Sequence, residues 1–320
     1  MIQAAYLAAE GQEAILAEEL ARAGIAVAAW HGRLALSPDP PALAAWALDV
    51  WTSPREIPIA SIADAAGALR AMQRNWSAYA VAHHRRMALI TARLPHLKAR
   101  PLTFPEPAPT SHLGAWTLLS PSLLLASPTK SSPFPNGECH FVEDHIGPPS
   151  RAYLKLWEAL TRLGQYPHPG ERCLDLGSAP GGWTWVTASL GATTIAVDKA
   201  PLAPKIAAMP HVAWREGSAF ALAPEPVDWL LSDVIAYPSR LLALVQNWIA
   251  QTPPRHIVCT LKFQAATDHD AAAAFAAIPG AEVVHLFHNK HELTFLWSRE
   301  RQARMGSAHT REGAAAPSIP

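Results

Sequence analysis

Four side chains and one glycine turn in this chain have residue types and spacing suited to chemistry. Lys155 sits in an apolar-periodic stretch, Asp233 closes the apolar run 229–232, Lys262 closes the run 257–261, and Glu292 opens the run 293–297. Between the first two lies Leu174-Asp175-Leu176-Gly177-Ser178-Ala179-Pro180-Gly181-Gly182-Trp183, and further on Asp198 closes the run 193–197. A glycine turn after a buried strand lets a ligand approach the backbone, and the start of the next helix offers unpaired N–H groups. An acid closing the following strand accepts both hydroxyls of a ribose. That combination is suited to an adenosine-type cofactor. The spacing is not Gly-x-Gly-x-x-Gly, which disfavours a dinucleotide.

These residues need a frame that brings them together. From residue 150 onward the pattern alternates: a helix over 151–163, then buried strands at 172–176, 193–198, 212–215, 228–233 and 256–262. Such alternation predicts an α/β unit with a mostly parallel sheet. The last two runs, 282–288 and 292–297, are separated only by Asn289-Lys290-His291. So short a turn implies an antiparallel pair, because a parallel crossover takes about a dozen residues. Asp233 and Lys262 then lie at carboxyl ends of parallel strands, where open α/β sheets bind ligands. Glu292, starting the reversed strand, falls at the same edge, and Lys155 reaches it from the preceding helix.

Residues 1–147 read as a separate N-terminal α/β domain with a linker, 148–304 as the second domain, and 305–320 as a small, polar, disordered tail. The N-terminal pattern is a strand at 3–8, a helix at 11–24 carrying Ile15, Leu16 and Leu20, strands at 25–30 and 33–36, and a helix at 42–50. This predicts a ferredoxin-like unit. Segments 101–109 and 127–137 read as turn and loop, and Gly147-Pro148-Pro149 marks the boundary. Trp46, Trp51, Trp157 and Trp248 fall in apolar-periodic segments and are assigned to packing.

Between Ala65 and Phe104 there is no acid, while Arg70, Arg74, Arg85, Arg86, Arg93, Lys98 and Arg100 all occur there. Such an excess tracks a phosphate backbone, or else forms a solvated helix face. The net charge of the whole chain is zero. With 320 residues, 50% hydrophobic and 16% charged, two folded domains are expected and a disordered chain is not. The three cysteines are scattered, no basic leader opens the chain, and no apolar run approaches the roughly 20 residues that span a bilayer. A cytoplasmic protein with no membrane partner is expected. Cys139, His140 and His145 lack a fourth ligand nearby, so no metal site is assigned.

The motif Asp-x-Gly-x-x-Pro-Gly-Gly-Trp resembles the cofactor loop of the FtsJ-like RNA 2′-O-methyltransferases. Further landmarks follow that family's order: Ser150-Arg151-Ala152-Tyr153-Leu154-Lys155-Leu156, Ser232-Asp233-Val234, Thr260-Leu261-Lys262-Phe263 and His291-Glu292-Leu293-Thr294. The resemblance covers roughly 148–298. It implies a Rossmann-like class I methyltransferase with a seven-stranded sheet whose last strand is reversed, and S-adenosyl-L-methionine as cofactor. The implied cofactor contacts are Asp175, Gly177, Ser178, Pro180, Gly181, Gly182, Trp183, Asp198 and Asp233, with Trp183 equally readable as core. The implied catalytic tetrad is Lys155, Asp233, Lys262 and Glu292.

Within the family the resemblance is nearest to a group that methylates a cytidine of large-subunit ribosomal RNA. That group carries an N-terminal RNA-binding module of ferredoxin-like and THUMP type, and Ser132-Pro133-Phe134 resembles it too. RNA is the implied partner. Transfer RNA or another RNA is the alternative substrate, and a non-catalytic RNA-binding or assembly factor the alternative role.

A ribose 2′-hydroxyl is a weak nucleophile, so a base must take its proton, and the resemblance gives that role to Lys262. A free lysine has a pKa of about 10.4. A neighbouring ammonium (Lys155) and burial lower it, whereas Asp233 and Glu292 oppose the shift; the sequence leaves the balance open. No metal is needed. One departure concerns the adenine: Gly217 stands where such enzymes often carry an acid, leaving Ser218, a backbone group or a shifted Glu216 to serve.

Overall fold

Short apolar runs bounded by turn residues, alternating with amphipathic helices, build two units, Met1–Val142 and a second beginning at Glu143. The computed structural model describes residues 1–304, so the tail expected at 305–320 lies outside the described residues.

The first unit contains two four-stranded sheets. One takes β1 (Ala4–Ala8), β2 (Ala29–His31), β3 (Leu34–Ser37) and β4 (Ala47–Trp51) in the antiparallel order β2-β3-β1-β4, with α1 (Glu13–Arg22) following β1. The other takes β5 (Arg55–Pro58), β6 (Trp76–Ala78), β7 (Gly114–Ser120) and β8 (Leu123–Ser127) in the order β5-β8-β7-β6. Two helices, α2 (Ile62–Met72) and α3 (His84–Thr91), pack on this second sheet through Ala65, Leu69, Met87 and Ile90 against Trp76 and Trp116. Helix α2 begins at a reciprocal cap: Ser61 Oγ accepts the Asp64 N–H, and Asp64 Oδ2 accepts the N–H of Ala60.

Two expectations for this unit are corrected. The helix expected at 42–50 does not form. The N–H groups of Ala45 and Trp46 donate to the Glu19 carboxylate at 2.7 and 2.9 Å, and β4 pairs with β1. Tertiary pairing outweighs the helix propensity of an alanine- and leucine-rich stretch. A second sheet also joins the one expected, and the two share a core in which Leu7, Leu36 and Trp51 meet Tyr79 and Leu125. Loop 127–137 is held in place by Lys130, whose buried ammonium donates to Asp49 Oδ2 at 2.7 Å and to the carbonyls of Ser132 and Phe134 at 2.6 Å. Its donors and its charge are both satisfied, as a buried ion requires.

The second unit opens with α4 (Tyr153–Leu163), which ends at Gly164 in the left-handed conformation. It continues β9 (Arg172–Leu176), α5 (Gly182–Ser189), β10 (Thr193–Asp198), α6 (Pro204–Ala207), β11 (Val212–Glu216) and β12 (Trp229–Ser232). Then come α7 (Pro238–Gln251), β13 (His256–Lys262), α8 (His269–Ala276), β14 (Ala281–Val284) and β15 (Glu292–Ser298). The seven strands form one sheet in the order β11-β10-β9-β12-β13-β15-β14. Every pair from β11 to β13 is parallel, and β15 runs antiparallel to both its neighbours. The strand order reverses direction at β9, which places a switch point between β9 and β12.

The last hairpin is antiparallel as expected, but its turn is longer. β14 ends at Val284, so the link runs 285–291 rather than 289–291. The cause is a tertiary contact: the N–H groups of Phe287 and His288 turn away from the ladder to the carboxylate of Glu158. No helix among the described residues is long and apolar enough to cross a membrane.

Candidate active site

The glycine turn follows β9 directly. Gly177 has φ +75°, and a Cβ there would stand 2.8 Å from Val234 Cα, so only glycine lets this turn lie against the backbone after Asp233. Gly181, with φ +110°, precedes the first turn of α5. The turn is pinned from β10. Asp198 Oδ2 accepts the N–H of Ala179 and its Oδ1 accepts the N–H of Ala200, each at 3.0 Å.

A cleft of about 400 Å³ opens at the switch point, lined by residues from the ends of β9, β10, β12 and β13. It brings together Asp175, Gly177, Ser178, Pro180, Gly182, Trp183, Asp198, Asp233 and Lys262. Gly181 shapes the turn without lining the cleft. Trp183 is both wall and core: it is 3% exposed and its Nε1 donates to the carbonyl of Ala152. Ser150, Ala152, Ala179 and Val234, which the motifs contain without being given a role, also line the cleft, as does Ile235, which lies outside them.

Asp175 lies at the floor, 1% exposed. Its Oδ2 accepts from Thr184 Oγ1 at 2.7 Å, while its Oδ1 and the Oγ of Ser178 are buried without a partner. Burial first, with Asp233 and Asp198 adding to it, pushes the Asp175 carboxyl up to about 7, against the hydrogen bond from Thr184. Gly217 N–H donates to the carbonyl of Asp198 and Ser218 Oγ accepts from Phe220, and neither Gly217, Ser218 nor Glu216 lines the cleft.

At the rim the two lysines and two carboxylates form a chain. Lys262 Nζ is 3.0 Å from Asp233 Oδ1 and also donates to the main-chain carbonyl of Asp233. The same Oδ1 accepts from Lys155 Nζ at 2.8 Å, and Lys155 is in turn 3.1 Å from Glu292 Oε1. Sheet register sets the two ends of this chain side by side, because Lys262 and Glu292 are direct partners across β13 and β15. Burial alone would depress the Lys155 ammonium, but Asp233 and Glu292 outweigh it and hold it above the ordinary lysine value. Lys262 faces the cleft and Lys155 does not.

The basic residues of 65–104 lie in the first unit and are not all alike. Arg70 donates to the carbonyl of Arg93, and Arg100 pairs with Glu106 at 2.9 Å. Arg85 and Arg86 border a hollow at the start of α3 together with His83 and His84. Arg74, Arg93 and Lys98 are exposed on the surface.

Residues 148–300 match the model of the FtsJ-like methyltransferase family. A protein of Halorhodospira halophila named ribosomal RNA large subunit methyltransferase M is 37% identical over 165 residues, 49% of this chain and 48% of that one. Its namesake in Azoarcus is 39% identical over 121 residues, 36% of this chain and 33% of that one. The chain therefore spans about half the length of the curated relatives it matches. Among solved structures, the Methanococcus jannaschii fibrillarin pre-rRNA processing protein aligns with a TM-score of 0.32 at 16% identity, over 41% of this chain and 67% of that one.

Proposed function

We propose, from the match of residues 148–300 to the model of the FtsJ-like methyltransferase family, that the chain methylates the ribose 2′-oxygen of RNA with S-adenosyl-L-methionine. The substrate is large-subunit ribosomal RNA, at a cytidine, and the N-terminal unit engages that RNA. The observation that carries this reading is the chain of contacts Lys262–Asp233–Lys155–Glu292 at the rim of the cleft.

The cleft fits the cofactor chemically. Three carboxylates, Asp175, Asp198 and Asp233, line it against one lysine, which suits a ligand carrying a sulfonium and an ammonium. Asp198 has one lone pair per oxygen left after its backbone bonds, enough for two ribose hydroxyls, and the orphan Ser178 Oγ gains a partner. S-adenosyl-L-methionine, when bound, supplies a methyl group on a positively charged sulfur. Lys262, at the cleft, orients the 2′-hydroxyl and receives its proton, and Asp233 holds the Lys262 amine in place. Lys155 remains an ammonium between two carboxylates, which excludes it as the base and makes it the tie between Asp233 and Glu292.

Asp175 supplies a pH test. A cationic ligand favours its ionised form, so binding of S-adenosyl-L-methionine should tighten as the pH rises from 6 to 7.5. This window is below the ligand's own α-amino pKa of about 7.7–8. For the free protein the sign is opposite. A carboxyl raised to about 7 keeps its proton in the folded state after the unfolded chain has lost it. This group therefore stabilises most below about pH 4, and that contribution fades as the pH climbs towards 7. Calorimetric titration of Asp175→Asn should show binding flat across 6–7.5; an unchanged slope would assign the effect elsewhere.

The RNA reading of the N-terminal unit has its own test. Arg85→Ala combined with Arg86→Ala should weaken RNA binding and reduce the slope of log K against log salt by about 1.4 to 1.8. An unaltered slope takes these arginines off the RNA surface. The substrate itself is tested by tritium transfer from labelled cofactor to total RNA. Label in the large-subunit RNA supports the reading, whereas label in transfer RNA keeps the chemistry and replaces the substrate.

A further inference from the structure

Lys155 and Glu292 come from elements far apart in the chain, and one buried acid joins those elements. Glu158 lies one helical turn beyond Lys155 on α4 and is 7% exposed. Its carboxylate accepts the N–H of Phe287 at 2.8 Å, the N–H of His288 at 3.0 Å and the Nδ1–H of the His288 ring at 2.7 Å. All three donors belong to the link 285–291, which runs directly into Glu292.

The link is braced within itself. His285 Nε2 donates to the carbonyl of Lys290 at 2.8 Å, Asn289 N–H donates to the carbonyl of Leu286 at 3.0 Å, and the Asn289 side chain donates to Thr294 Oγ1 at 3.1 Å. Those bonds give the link a shape but do not fix it to the helix. The three bonds to Glu158 do.

We propose that Glu158 is a positioning residue for the tetrad. It clamps the link 285–291 onto α4, so that the helix bearing Lys155 also fixes the backbone from which Glu292 projects. Residues three apart on a helix share a face, so one rigid turn holds Glu292 twice: at its carboxylate through Lys155 and at the preceding backbone through Glu158. The ladder with β13 already holds Glu292 opposite Lys262; the second hold ties the backbone just before it to the helix that carries Lys155, and so supports the 3.1 Å contact between Lys155 and Glu292. The inference rests on the tetrad reading above for its consequence in catalysis, but the clamp itself does not.

Glu158→Gln keeps the shape and replaces one acceptor oxygen with an NH2 group that faces donors. Two readouts are taken on the full chain: amide hydrogen exchange, and steady-state transfer to large-subunit RNA. The Phe287 and His288 amides should exchange at least about tenfold faster while the amides of α4 keep their protection. The kcat should fall by roughly 100-fold, the scale expected for a small misplacement of catalytic groups, with cofactor Kd nearly unchanged. Glu158→Asp, which keeps the charge, should recover part of both and serves if the glutamine variant does not melt cooperatively. Unchanged exchange at 287 and 288 would overturn the clamp. Faster exchange with unchanged kcat would overturn its role in positioning. If the wild-type protein transfers no methyl group, the tetrad reading fails on its own, and exchange still decides the clamp.

Discussion

Lys262→Ala lowers the rate of methyl transfer by about 10³-fold, the usual scale for removing a general base, while S-adenosyl-L-methionine still binds with near wild-type affinity. The expectation follows from position. Lys262 ends β13 at the cleft, and its Nζ touches only Asp233 among the tetrad carboxylates. Removing it leaves Asp233 still paired with Lys155 at 2.8 Å, so no carboxylate is stranded and the cofactor loop is not disturbed. Lys262→Arg sharpens the test. A guanidinium keeps the contact with Asp233 but is permanently protonated in a protein and has no lone pair to accept the proton. Activity retained in the arginine variant would make Lys262 an orienting group only. Equal loss of activity and cofactor affinity in the alanine variant would make it structural.

Lys155→Met acts differently, because Lys155 is the member with two partners. Its side chain is 11% exposed, against 17% for Asp233 and 12% for Glu292. Breaking a buried pair from one side leaves charge uncompensated and costs about 3–5 kcal/mol. Urea unfolding should show a loss on that scale, together with loss of transfer. Pairing Lys155→Met with Glu292→Leu removes one stranded carboxylate and should restore much of the stability without restoring activity. If the double variant is no more stable than the single one, the ion chain is not what the lysine supports.

Asp233, Lys262 and Glu292 were legible because each sits at an end of an apolar run, whereas Lys155 lies inside a helix and was marked only by the family resemblance. The runs 193–198 and 256–262 were expected as strands and are β10 and β13 to the residue, since continuous apolar stretches broken by a charge or a turn have one reading in an alternating α/β pattern. Gly177 was legible for the same reason: an immediate turn after a buried strand needs the freedom that only glycine has. Ala42–Val50 misled because its alanines and leucines favour a helix locally, whereas Glu19 and β1, both distant in sequence, decide the outcome. Glu158 left a signal that went unused. A charged residue within the wholly buried run from Tyr153 to Thr161 must have a partner, but sequence spacing cannot say that the partner is a backbone at 287–288. The extra length of the last turn was hidden with it. Asp198 was read as a ribose ligand, and the structure adds that the same carboxylate holds the turn at Ala179.

Alkaline digestion of the methylated product is the most direct measurement. The protein is incubated with tritiated S-adenosyl-L-methionine and RNA from a strain lacking the gene, presented both free and as ribosomal particles. A methyl on the 2′-oxygen blocks that oxygen from attacking the neighbouring phosphate, so the modified step survives alkali as a dinucleotide. Label in alkali-resistant dinucleotides of the large-subunit RNA, absent with Lys262→Ala, is the predicted result. Label released as mononucleotides would put the methyl group on a base, and cofactor binding with no transfer to either form of RNA would leave the tetrad without a catalytic role.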